Sequence, residues 1–156
     1  MENKNYEIDV LKEFLQYPLT SGEKIFEKFE QIPGAVHRKG DGLEKFLYIP
    51  GKRKNKVVLA AHVDTYWDNH YPCFNKENDS KSKEKEIYPV IKEENTEKGL
   101  LFKSGLADYG IGADDRAGCA ILWLLKDSGH SLLLLNGEEH GQIGATWLKE
   151  ENEDKK

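Results

Sequence analysis

The chain has 156 residues, 33% of them charged, and a formal net charge of −5 at pH 7. That length suits one domain with a single core. The acidic balance excludes an electrostatic hold on nucleic acid or an anionic membrane, and no apolar run approaches the length of a membrane span.

The amino terminus, Met1-Glu2-Asn3-Lys4-Asn5, has no apolar core of the signal-peptide kind, which predicts a cytoplasmic location. From Tyr6 to Tyr17, Val10, Leu11, Phe14 and Leu15 fall at helical spacing, with Pro18 just past the end. A second helix capped at Ser21, carrying Ile25, Phe26 and Phe29 at spacings of one, three and four, is expected to run to about Gln31, before Pro33-Gly34. Ala35-Val36-His37 and Phe46-Leu47-Tyr48-Ile49 read as a hairpin around Lys39-Gly40-Asp41-Gly42. A solvated loop over 52–56 then leads into Val57-Val58-Leu59-Ala60-Ala61-His62-Val63-Asp64-Thr65, which reads as a buried, central strand.

After an aromatic-rich loop, residues 75–86 are almost wholly polar and predict a mobile charged loop. Ile87-Tyr88-Pro89-Val90-Ile91 and Leu100-Leu101-Phe102 look like a second hairpin, with Pro89 suiting an edge strand. A glycine-punctuated loop, Gly105 to Gly112, delivers Ala113-Asp114-Asp115-Arg116 and a buried helix carrying Ala117, Cys119, Ala120, Ile121, Leu124 and Leu125, ending near Ser128-Gly129. Ser131 to Leu135 is another buried strand, stopping at Asn136-Gly137-Glu138-Glu139-His140-Gly141. A last helix carries Ile143, Ala145, Trp147 and Leu148 before a charged tail over 150–156. Cys73 and Cys119 have no CxxC partner and are expected as free thiols. The alternation predicts a single α/β domain, layered, with a mixed sheet.

Three polar clusters sit at the ends of these apolar elements: His62 with Asp64, Asp114 with Asp115, and Glu138 with Glu139. Open α/β sheets hold ligands beyond the carboxyl ends of their strands, and at period two His62 and Asp64 point to one side. An imidazole backed by a carboxylate is a common arrangement for a metal-binding histidine. One histidine plus carboxylates, without cysteine, suits Zn²⁺, Co²⁺ or Mn²⁺, and paired ions about 3.5–4 Å apart can share the activation of one water. One member of Glu138-Glu139 can bind metal while the other takes a proton. Each cluster also admits a structural role: a hydrogen-bonded buried histidine, an N-cap at Asp114-Asp115, a solvated acidic loop at Glu138-Glu139. An unpaired charge beside an apolar element is costly, which favours convergence of the three.

His62-Val63-Asp64-Thr65, Gly112-Ala113-Asp114-Asp115-Arg116-Ala117-Gly118 and Gly137-Glu138-Glu139-His140-Gly141-Gln142-Ile143-Gly144-Ala145 resemble, in order, three signatures of the co-catalytic zinc exopeptidases. That group comprises aminopeptidases, di- and tripeptidases, carboxypeptidases and related amidohydrolases. The resemblance implies a phosphorylase/zinc-exopeptidase-like α/β/α fold and hydrolysis of peptide or related amide bonds. It implies that His62, Asp114 and Glu139 are metal ligands, with Asp114 bridging two Zn²⁺ ions, that Asp64 orients His62, and that Glu138 is the general base. A cis peptide at Asp114–Asp115 is implied too. The substrate would be a peptide or an acyl-amino acid.

The resemblance covers Val57 to Ala145, and the family's pattern includes a further carboxylate and a further histidine beyond the Glu-Glu signature. The chain does not offer them; His140, beside Glu139, is a poor geometric substitute. The chain therefore reads as the amino-terminal part of such a domain, cut short at the carboxyl end. Two readings follow: a metal-dependent hydrolase, or a non-catalytic chain that keeps the fold and binds a partner. The missing ligands would come from a complementing chain or a homo-oligomer.

Overall fold

The structure, a computed structural model, describes residues 2–66, 86–106 and 110–153. The mobile loop expected over 75–86 lies outside the described residues except for Glu86, as does Cys73. Helix α1 (Glu2–Leu15) buries Val10, Phe14 and Leu15 at the spacing that puts them on one face. Helix α2 (Glu23–Glu30) buries Ile25, Phe26 and Phe29. Its cap position is Gly22 rather than the expected Ser21, whose hydroxyl nonetheless accepts the Glu23 N–H at 3.2 Å.

The main sheet has four strands: β1 (Val36–Lys39), β2 (Lys45–Ile49), β3 (Val58–His62) and β6 (Ser131–Leu135), in the order β1-β2-β6-β3. The first hairpin pairs β1 with β2 antiparallel; β6 runs antiparallel to β2 and parallel to β3, so the sheet is mixed as expected. The register places Leu47, Ile49, Leu132, Leu134, Leu59 and Ala61 on one face. That face packs on α1, α2 and α3 (Ala113–Leu124) around Phe14, Phe26, Phe29, Cys119 and Leu122. Burying each phenylalanine is worth about 1.5–3 kcal/mol relative to exposure, so this layer contributes substantially to stability. On the opposite face, α4 (Ile143–Glu153) packs Trp147 against Phe46, ring centroids 5.4 Å apart and the rings tilted.

Four expectations need correction. The strand at β3 is neither central nor buried throughout: it lies at the sheet edge, with Val57 46% and Val58 50% exposed, because neither its outer side nor the α4 face of the sheet is covered there by described residues. In the second hairpin, β4 (Ile91–Thr96) pairs with β5 (Gly99–Ser104), so the first strand starts where it was expected to end. The turn is closed at Thr96, whose hydroxyl donates to the Gly99 carbonyl at 2.7 Å, and Gly99 takes φ of 124°. Helix α3 is not buried all round, since Ile121 is 55% exposed and Leu125 also faces solvent. The charged segment after Trp147 extends α4 to Glu153 instead of leaving it as a tail from Glu150, because glutamate and lysine are good helix formers. Residues 154–156 are outside the described set. Among the described residues no helix is long and apolar enough to cross a membrane.

Candidate metal centre

Strands β3 and β6 run parallel and end level, His62 opposite Leu135, so His62-Val63-Asp64 and Asn136-Gly137-Glu138 leave the sheet side by side. The start of α3 comes alongside. Gly112 takes φ of 64°, and a Cβ there would stand 2.7 Å from Leu19 Cδ2 and 2.9 Å from Thr65 Cγ2, so a glycine is needed for this approach. The Asp114–Asp115 peptide is cis, and Asp114 and Asp115 depart from helical backbone angles.

The five residues singled out from the sequence gather around one imidazole. His62 Nδ1–H donates to the Asp64 carbonyl oxygen at 3.0 Å, and the Asp64 carboxylate lies 3.5 Å from the same nitrogen. On the other side of the ring, Nε2 is 3.1 Å from Asp114 Oδ1 and 3.9 Å from Glu138 Oε2. His62, Glu138 and Glu139 each present a ligand atom, and all three atoms lie within 4.8 Å of one another. Asp114 is a neighbour of this trio through His62, and its side chain is 82% exposed.

The Asp64 carboxylate does more than back the histidine. Its Oδ1 accepts the Glu138 N–H at 3.2 Å and its Oδ2 the Glu139 N–H at 3.1 Å, which ties the two clusters together. Burial works against its charge, but His62 and these two N–H groups outweigh it and hold the carboxyl below its usual range. Burial likewise opposes charging of His62; Asp64, followed by Asp115, overcomes it and pushes the imidazole up to about 9. Glu139 moves the other way, its carboxyl raised first by burial and then by the Asp114 charge.

These contacts can be tested against a cation. With Nδ1–H turned to a carbonyl, a neutral His62 would point a lone pair at the Asp114 carboxylate. Two acceptors at 3.1 Å need a proton between them or a metal ion, and a protonated imidazole supplies the first. Tetrahedral zinc with bonds of about 2.0 Å holds its ligand atoms roughly 3.3 Å apart, so this nitrogen and oxygen fit one ion. The donor set of imidazole and carboxylates suits the same choice of metal.

Three further residues surround these five. Asp115 Oδ2 accepts the His62 N–H at 3.3 Å. Arg116 is fully buried, its Nη2 donating to the carbonyls of Pro18 at 2.8 Å and Ser21 at 3.0 Å. His140 Nδ1 lies 3.8 Å from Asp64 Oδ2, turned toward the carboxylate that anchors the Glu-Glu turn. The N-cap expected at Asp114-Asp115 is made by the first, whose Oδ1 accepts the Gly118 N–H at 2.9 Å; nothing local reveals the other two.

No protein-family model and no curated protein matches the sequence. Among solved structures, the chain is similar to aminopeptidase PepT from Bacillus cereus, with a TM-score of 0.54 and 17% identity over 90% of this chain and 38% of that one. Aminoacylhistidine dipeptidase from Vibrio alginolyticus aligns with a TM-score of 0.46 and 21% identity, over 88% of this chain and 29% of that one. The chain thus spans well under half the length of either protein. At these identities the likeness is one of fold, and by fold the chain is similar to part of an aminopeptidase, a mixed α/β domain with the His62 cluster at the carboxyl ends of its parallel strands.

Proposed function

We propose that the chain is the metal-binding part of an exopeptidase-like hydrolase of peptide or related amide bonds. The observation that carries this reading is the contact of His62 Nε2 with Asp114 at 3.1 Å, beside Glu138 and Glu139, a donor set that one metal ion could share in place of a proton. In this reading His62, Asp114 and Glu139 would hold zinc, and Co²⁺ or Mn²⁺ could substitute. Zinc, when bound, supplies a Lewis acid that makes water a nucleophile near neutral pH. Glu138 accepts the proton that water gives up, and Asp64 keeps His62 in the tautomer that leaves Nε2 to the metal. The substrate is a peptide or an acyl-amino acid, met in the cytoplasm.

Zinc sites use three or four protein ligands. If Asp114 served two ions, each would draw two ligands from His62, Asp114 and Glu139, so full activity would need further ligands, which a complementing chain or a second copy could bring. The test is calorimetric titration of the metal-free chain with Zn²⁺, alongside assays with an aminoacyl anilide, dipeptides and an N-acyl-amino acid. Weak zinc uptake that disappears in His62→Ala is expected; no uptake by the parent chain sinks the proposal.

A second reading is favoured by the exposure of Val57 and Val58 at the β3 edge, and of Ile121 on α3, among the described residues. Here the chain keeps the fold and acts by binding a partner, without turnover. Turnover by the parent chain, lost in Glu138→Gln, would exclude it.

A further inference from the structure

Residues 57 and 63 hydrogen-bond toward β6, Val57 through its carbonyl and Val63 through its N–H, so the alternate residues Val58, Ala60 and His62 turn their backbone groups away from β6, to the side where no described strand pairs. At His62 helix α3 supplies what a neighbouring strand would. The Asp115 carboxylate accepts the His62 N–H at 3.3 Å, and the Cys119 thiol reaches the His62 carbonyl at 3.2 Å. The second oxygen of Asp115 accepts the Gly118 N–H at 2.9 Å. A Cβ at position 118 would stand 2.1 Å from that oxygen, so the glycine leaves the carboxylate its place.

We infer that Asp115 is a positioning residue of the metal site. One carboxylate fastens the His62 peptide to the first turn of α3, and the residue before it, Asp114, is thereby held against the His62 ring. An ionised acceptor makes stronger hydrogen bonds than a neutral one, and this one spans the two elements that carry the imidazole and its closest carboxylate. The inference rests on the reading of His62 and Asp114 as metal ligands. Its first test is read without metal, so the two can fail separately.

The experiment compares the parent with Asp115→Asn and Asp115→Ala. Amide hydrogen exchange is measured in the metal-free chain, and zinc affinity by competition with a chromophoric chelator. Asparagine keeps one acceptor oxygen, so Asp115→Asn is expected to retain protection at Gly118 and to lose at least tenfold at His62, with Leu132 and Leu134 unchanged. Asp115→Ala is expected to lose protection at both. Zinc affinity should fall 10- to 100-fold in both variants, the usual cost of removing a group that orients a ligand. Parent-like exchange at His62, or parent-like zinc affinity, in a folded Asp115→Asn chain overturns the inference. Loss of protection throughout β6 in the asparagine variant also overturns it, since that is a general structural role. If the parent takes up no zinc, the metal reading fails, and selective exchange at His62 in the asparagine variant still establishes the fastening.

Discussion

The carboxylate of Asp64 accepts the backbone N–H of Glu139 at 3.1 Å, joining the end of β3 to the turn after β6. Its other oxygen takes the neighbouring N–H of Glu138, so one residue fixes both the histidine, through its carbonyl, and the acidic pair, through its carboxylate. Hydrogen bonds to a charged group contribute about 1.5–3 kcal/mol each when they are well made. Asp64→Ala is therefore expected to destabilise the metal-free chain by roughly 2–4 kcal/mol, after relaxation of the exposed turn. Urea denaturation checks this; a loss below the resolution of the method would show that the turn holds its shape without Asp64.

Glu138 and Glu139 are adjacent, and the proposal gives them different work. A base must accept a proton in the transition state, whereas a ligand must lend charge to the ion. Glu138→Gln should leave zinc affinity unchanged and lower turnover, in the presence of any complementing chain, by about 10²–10⁴-fold. Glu139→Gln should weaken zinc at least about tenfold. The close trio of His62, Glu138 and Glu139 makes this division a real question, because Glu138 stands near enough to serve as a ligand itself. Equal loss of zinc in both variants would give it that role.

Much of this arrangement could be read from residue order. The apolar runs that became β2 and β6, and the alternation of Leu47 and Ile49 toward the helices, announce themselves by period. The three polar clusters were marked by their place at the ends of such runs. What could not be read was set by distant chain. Val57 and Val58 look like core residues because β-branched runs usually are, yet their exposure depends on what lies beside β3. Arg116 looks like a solvated helix residue, yet carbonyls nearly a hundred positions earlier draw it inside. The β4 start was misplaced because Lys92, Glu93 and Glu94 bury no face, so alternation gives no signal there.

Arg116 supplies a prediction in which two effects compete. Its Nη2 satisfies the carbonyls of Pro18 and Ser21, while Nε and Nη1 have no hydrogen-bond partner among the described residues. Burial pushes the guanidinium down to about 10, only partly countered by Cys119, Asp64 and Tyr17. Removing the charge relieves that desolvation but orphans two carbonyls, at about 1–3 kcal/mol each. Arg116→Met is expected to cost about 1–3 kcal/mol, and Arg116→Ala about 3–5 because a cavity is added. A methionine variant more stable than the parent, by urea midpoint, would show that the desolvation cost dominates.

Stability in acid should depend on two glutamates remote from the metal centre. Glu13 accepts from Lys28 Nζ at 2.6 Å and from the Tyr17 hydroxyl at 2.8 Å, and Glu23 is paired with Lys45. Burial alone would raise both carboxyls; in each case the lysine hydrogen bond leads the opposing effects, and both are held below their ordinary 4.5. A group whose folded pKa is depressed contributes its full stability above the unfolded value and loses it as pH falls through the folded one. The parent should therefore lose stability progressively from just above pH 4.5 downward, while Glu13→Gln combined with Glu23→Gln should be less stable at pH 7 and show a shallower decline. Both side chains are substantially exposed, so solvent screening keeps the effect small and salt-sensitive. Urea midpoints between pH 7 and pH 3 decide the matter. Identical slopes for parent and double variant would mean that these pairs add nothing to the folded state that the unfolded chain lacks.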